Sequence, residues 1–219
     1  MKCVEGASAM IGESLHVAVV DVGSLANLGW VIEGPSVTES GADIDLCIKS
    51  LAKAMNMGPV ALGFEAPMFV PYRRKRCDLD KARTGEGDRA FAAFGGACAL
   101  TKGLVIVPYI LEGLKRSTKG ARPTFNWHRP LSKGDLLLFE AFVTHVGKSV
   151  SHEECARLAI RSFSRGWENI STFESAIAES TTINLLGAML LRIGWTKDLA
   201  VLSEECLVVR HKGSVSHRE

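Results

Sequence analysis

Asp21 follows the apolar run HVAVV, Glu65 follows VALGF, and Glu140 follows LLLF. Short apolar runs of this kind read as buried strands, so the chain delivers several carboxylates from strand ends toward one place. Anions gathered in this way repel one another and raise each other's pKa. They are tolerated where a shared proton or a divalent cation compensates. The predicted chemistry is therefore hard-cation binding, with Mg²⁺ or Mn²⁺ as the cofactor and Asp21, Glu65 and Glu140 as its ligands. The competing reading makes Asp21 and Glu140 turn or capping residues and gives Glu65 an arginine as ion-pair partner.

The elements that must position these acids follow from the pattern of apolar residues. His16 to Val22 and Leu28 to Ile32 suit a hairpin, with a brief third strand near Val37. Ile44, Leu51, Ala52 and Met55 recur at helical spacing over 44–57, with Asp43 as N-cap. Pro59 to Phe64 is a buried strand, and 66–87, with two prolines and a Gly-Glu-Gly turn, is a long loop. Asp88 caps a helix running to Leu100 and ended by Gly103; Leu104 to Val107 then reads as a strand before Pro108, with a short helix to Leu114. After a polar loop over 117–133, Leu136 to Phe142 is a strand and Ser151-His152-Glu153-Glu154 a capping box opening a helix to Phe163. A further helix covers Phe173 to Ile193, and Cys206 to Val209 is an edge strand.

Other residues offer chemistry of their own. Tyr72-Arg73-Arg74-Lys75-Arg76 would run along a phosphate backbone with Tyr72 stacked on a base, and Arg83 or Arg89 would pair with Glu65 or a bound phosphate. The plain alternative is a solvated charged loop. His145 is placed to act as an acid or outer ligand and His128, beside Trp127, to touch a base or sugar; each is otherwise an ordinary hydrogen-bonded histidine. His152 and Cys155 share a helix face, but two ligands do not make a zinc site. Gly95-Gly96 and the neighbouring alanines would let a helix pack tightly on another element or on a second copy of the chain, as in a homodimer.

The whole chain narrows the choice. Its 219 residues fit one large domain, and 47% hydrophobic with 23% charged residues excludes a disordered or fibrous chain. A net charge of +2 steers no polyanion from a distance, so nucleic-acid contact must come from the local patch at 72–76. Six cysteines scattered singly point to reduced thiols in the cytoplasm. The first residues lack a signal peptide's long apolar region, and 90–111, broken by Lys102 and a turn-like stretch, falls short of a membrane span.

This order of elements and acids resembles the ribonuclease H-like superfamily, and within it the DUF429 family of predicted nucleases. The pieces that carry the resemblance are VVDVGSLANLGWVI at 19–32, GFEAPMFVPYR at 63–73, GEGDRAFAAFGG at 85–96 and LLLFEAFVTHVGK at 136–148. It implies an α/β mixed sheet with flanking helices and an insertion after the central strand, in a single domain over 1–219. It also implies a metal-dependent nuclease, with Asp21, Glu65 and Glu140 catalytic and Tyr72, Arg73, Arg74, Arg76 and Arg89 on the substrate. One stretch departs from the family: its late helix commonly begins with an acid, whereas TTINLLGAMLL presents Asn184, which brings no charge to hold a second cation. Glu174 or Glu179 would have to stand in. That departure keeps open a catalytically silent module binding nucleic acid or protein. A third reading, an actin-like phosphotransferase, rests on DVGSLANLGW and lacks a second Asp-x-Gly loop in 100–219.

Overall fold

The computed structural model describes residues 15–35, 37–87, 91–144 and 151–212. Among the described residues, nine strands and four α-helices follow one another as β1 (His16–Asp21), β2 (Gly29–Gly34), β3 (Val37–Gly41), α1 (Ile44–Met57), β4 (Val60–Glu65), β5 (Phe69–Pro71), α2 (Phe94–Ser117), β6 (Arg122–Thr124), β7 (Asp135–Thr144), α3 (His152–Trp167), β8 (Thr182–Asn184), α4 (Leu185–Arg192) and β9 (Val208–Lys212). Seven strands form one mixed sheet in the order β3-β2-β1-β4-β7-β6, with β9 also paired to β7; β5 and β8 form a separate antiparallel pair. The hairpin β1–β2 and its neighbour β3 are antiparallel, while β1, β4 and β7 run parallel, joined by helical crossovers. The fold is thus α/β, as expected.

The central strands are covered on both faces, which is why they read as nearly continuous apolar runs. Ala18, Val20, Leu62, Phe64, Leu136 and Leu138 pack toward α1, α2 and α4. Val17, Val19, Ala61, Leu137, Phe139 and Ala141 pack toward α3, whose Ala156, Ala159, Ile160 and Phe163 close that side. Side chains alternate along each strand, so odd and even positions in this register belong to different cores.

Several expectations are met closely. Asp43 caps α1 by accepting from the Leu46 N–H at 2.8 Å, and Ser151 Oγ accepts from the Glu154 N–H at the start of α3. The loop 66–87 contains only the short β5 and one 3₁₀ turn. The loop 117–133 contains β6 and is tied back by Asp135, which accepts from Arg122, Arg129 and the Ser132 N–H. Burial would raise that carboxyl, but these donors outweigh it and hold it at about 2.

Two elements differ. The strand expected at 104–107 and the stop at Gly103 do not form; one helix runs from Phe94 to Ser117 through Pro108. Gly103 is there because Met68 leans on it: a Cβ at that position would lie 2.5 Å from Met68 Cε. Pro108 releases the carbonyl of Leu104, which sits on the outward side where water can bond it. The expected Asp88 cap lies outside the described residues. α2 is long and apolar enough to cross a membrane, with a mean hydropathy of 1.6 over 18 residues. In this fold it turns Ile106, Val107, Ile110, Leu111 and Leu114 into the core. The helix expected over 173–193 shrinks to α4, because Thr182-Ile183-Asn184 pairs with β5 instead.

Candidate metal centre

Asp21 and Glu65 end neighbouring parallel strands and sit in register with each other. Their side chains therefore leave the same face of the sheet, the one covered by α3. The N-terminal turn of α3 lands on them: His152 Nδ1 is 2.6 Å from Asp21 Oδ2, and the ligand atoms of Asp21, Glu65 and Cys155 all lie within 4.8 Å of one another. Gly29, opposite Asp21 on β2, permits that approach. A Cβ there would stand 2.6 Å from His152 Cβ and 2.7 Å from the Glu153 backbone nitrogen.

The electrostatics are those of crowded acids. Burial, partly countered by His152, raises the Asp21 pKa. Burial and then the Asp21 charge push Glu65 well above the glutamate range. Glu65 Oε2 is itself buried and receives no N–H or O–H from the described residues. Both carboxyls are thus held more readily in the protonated form than free ones would be. The Cys155 thiol is pushed up to about 12, first by burial and then by the two carboxylates. A thiol so placed stays protonated, so it is no nucleophile of its own accord. A divalent cation would reverse each of these shifts at once.

Glu140 is not presented to this pair. It is paired with Phe64, one residue out of step with Glu65, so it leaves the opposite face of the sheet. There both of its oxygens accept from Arg83, at 2.7 and 2.9 Å, and one also accepts from the Met68 N–H. Arg83 is completely buried and binds Glu86 as well. The arginine thus serves Glu140 and Glu86, and neither Glu65 nor an open anion site.

The remaining candidates are spread out. Arg73 forms a two-pronged pair with Glu179, at 2.9 and 3.0 Å, and Thr84 N–H donates to the same carboxylate. Tyr72, Arg74, Lys75 and Arg76 are exposed. Tyr72 borders a small cavity with Thr181 and Glu205 that neither Asp21 nor Glu65 reaches. Arg89 and His145 lie outside the described residues. His128 packs on Trp127 at the rim of another cavity, beside Glu174. Asn184 is fully buried as the N-cap of α4, its Oδ1 accepting from the Gly187 N–H and its Nδ2 donating to the Glu204 carbonyl. Neither acid expected to stand in replaces it, since Glu179 is committed to Arg73 and Glu174 is exposed elsewhere.

His152 and Cys155, set aside on the sequence as too few for a metal site, are the residues that reach the carboxylates. Their spacing of three on one helix face was the visible signal; their destination was not. Lys102 on α2 also acts on Asp21, lowering its pKa through space. Compared with protein-family models, curated proteins and solved structures, the chain matches none.

Proposed function

We propose that the protein is a divalent-metal-dependent phosphodiesterase acting on nucleic acid, with Asp21 and Glu65 as metal ligands and α3 completing the site. The observation that carries this reading is the in-register Asp21–Glu65 pair, with Glu65 Oε2 buried and unpartnered and Cys155 close by. Such an oxygen is costly to leave without a proton or cation, so the residues fit a metal. The strand order β3-β2-β1-β4-β7, antiparallel then parallel, supports a ribonuclease H-like relationship. A divalent cation held here would supply Lewis-acid polarisation of a phosphoryl oxygen and would lower the pKa of a water, so that it loses a proton more readily. Asp21 and Glu65 would hold it, His152 would fix the Asp21 carboxylate in place, and Cys155 would add a softer ligand that favours Mn²⁺ over Mg²⁺. Arg74, Lys75 and Arg76, all exposed, are available to a phosphate backbone.

A second reading, a silent module that binds without turnover, is favoured by Glu140 and Asn184. Both are committed to structural partners, which leaves ligands for one cation rather than two. Calorimetric titration with Mn²⁺, paired with cleavage assays on labelled single-stranded and structured DNA and RNA, separates the two. Saturable Mn²⁺ binding that Asp21→Asn abolishes, with cleavage lost in the same variant, is the expected result. Binding without cleavage selects the silent module, and no Mn²⁺ binding by the unmodified protein sinks the metal-dependent phosphodiesterase.

A further inference from the structure

β5 and β8 form a two-stranded ribbon, and among the described strands β8 pairs with β5 alone. The Tyr72 N–H donates to the Thr181 carbonyl at 3.0 Å, and the Leu185 N–H to the Met68 carbonyl at 2.9 Å. Along an antiparallel strand, alternate residues turn their N–H and C=O groups toward the partner and away from it. Thr181, Ile183 and Leu185 thus turn toward β5, and Thr182 presents both of its groups at the outer edge of the ribbon. Outside the ladder with β5, Thr182 makes no backbone hydrogen bond among the described residues.

Two cavities meet along that edge. One, of about 480 Å³, is floored by Phe69, Trp127, Ile177 and Val208, and the other, of about 280 Å³, is lined by Tyr72, Thr181 and Ile183. Partnered residues in an antiparallel pair point to the same face, and successive residues to opposite ones. Phe69 and Thr182 therefore belong to one face of the ribbon, and Tyr72, Thr181 and Ile183 to the other. The cavities lie on opposite faces and join at the edge, where Ser180, Thr182 and Glu205 line both. A small ligand fills one or the other. An extended peptide laid along the edge reaches both, because its backbone meets Thr182 while its successive side chains alternate between the faces.

The larger cavity also selects by charge. Its floor is apolar, whereas Glu174 and Glu205 at its rim are exposed and carry no ion-pair partner among the described residues. Glu179 lines both cavities but is held by Arg73, and no lysine or arginine lines either one. Tyr72, which a basic run follows in the chain, lines only the smaller cavity, so the acidic preference is confined to the larger. An apolar floor beneath an acidic mouth matches an aliphatic stem that ends in a cation, as in lysine and arginine. We propose that the outer edge of β8 takes up an extended peptide of a partner protein by strand addition, with a lysine or arginine side chain in the larger cavity and the neighbouring residue in the smaller. Neither Asp21 nor Glu65 lines these cavities, so the surface is independent of the metal centre.

The test is fluorescence anisotropy on the full chain with labelled, end-blocked hexapeptide pools. Each pool has one central position fixed as lysine, arginine, glutamate or leucine, and the other positions random. The lysine and arginine pools should bind about tenfold or more tighter than the glutamate pool, with the gap narrowing at high salt. Glu174→Gln combined with Glu205→Gln changes two exposed side chains, and a thermal melt checks that the fold is kept. This double variant should lose the preference for the basic pools. Two versions of one arginine peptide, N-methylated on the odd or on the even amides, then read the backbone. Strand addition uses one edge of the peptide, so one version should lose binding about tenfold or more while the other keeps it. The proposal is overturned by no binding from any pool or by equal binding of the arginine and glutamate pools. A double variant that binds like the parent protein, or two methylated peptides that both bind like the unmodified one, would also overturn it. None of these measurements needs Mn²⁺, so the metal reading stands or falls on its own titration.

Discussion

The raised pKa of Glu65, beside Asp21, couples the stability of the protein to pH and to metal. Glu65 has its pKa raised in the folded chain above the ordinary value of 4.5, so the folded state binds its proton more tightly than the unfolded one. The resulting stabilisation is full below 4.5 and is lost as pH rises through the raised value. In EDTA, melting temperature should therefore fall over that window, and Glu65→Gln should flatten the fall. In Mn²⁺ the slope should reverse, because deprotonation then favours the ion. Identical pH profiles for the two proteins would remove Glu65 from the site. At this scale the sequence was half legible. Asp21 and Glu65 could be found because each ends an apolar run. The separation of Glu140 could not, because the face it leaves depends on the register between β4 and β7, set by contacts about 75 residues apart in the chain. His152 was unreadable for the same reason, lying 131 residues from Asp21.

Among the elements, the N-terminal turn of α3 does most to finish the site, and Gly29 sets how closely it sits. Gly29→Ala should force the helix start away from Asp21, since the obstructing atoms include the Glu153 backbone nitrogen, which cannot swing aside. We expect a loss of about 1–3 kcal/mol in urea denaturation, and weaker Mn²⁺ binding. Unchanged binding would mean that α3 does not contribute to the centre. Elements with a local signature were read well: α1 and α3 carry their caps in the sequence, and the β1–β2 hairpin its turn. The stretch that forms α2 reads in sequence as separate elements because Gly103 and Pro108 are break signals, although Ile106, Val107, Ile110, Leu111 and Leu114 carry a helical stripe straight past Pro108. The segment before α4 departs in the opposite sense, a strand where the sequence predicts a helix. Its β-branched residues needed a partner strand, β5, that lay in a supposed loop.

Across the molecule, one sheet divides two hydrophobic cores, and the four tryptophans fall two to each side: Trp30 and Trp195 toward α1 and α2, Trp127 and Trp167 toward α3. If the shared strands make the two sides unfold together, a Trp30→Phe/Trp195→Phe protein and a Trp127→Phe/Trp167→Phe protein should each give urea curves by fluorescence that superimpose on their own circular dichroism. Curves that separate would divide the chain into two cooperative units. The layout was broadly legible, since strand and helix alternate visibly, whereas the attachment of both β6 and β9 to β7 was not. The distance in sequence between the carboxylates and α3 also has a bearing on synthesis. During translation β1 and β4, which carry Asp21 and Glu65, emerge early, but the helix that covers them is made more than 80 residues after Glu65. On a ribosome-bound chain the candidate site would thus be open, and it could be completed only when α3 has left the exit tunnel.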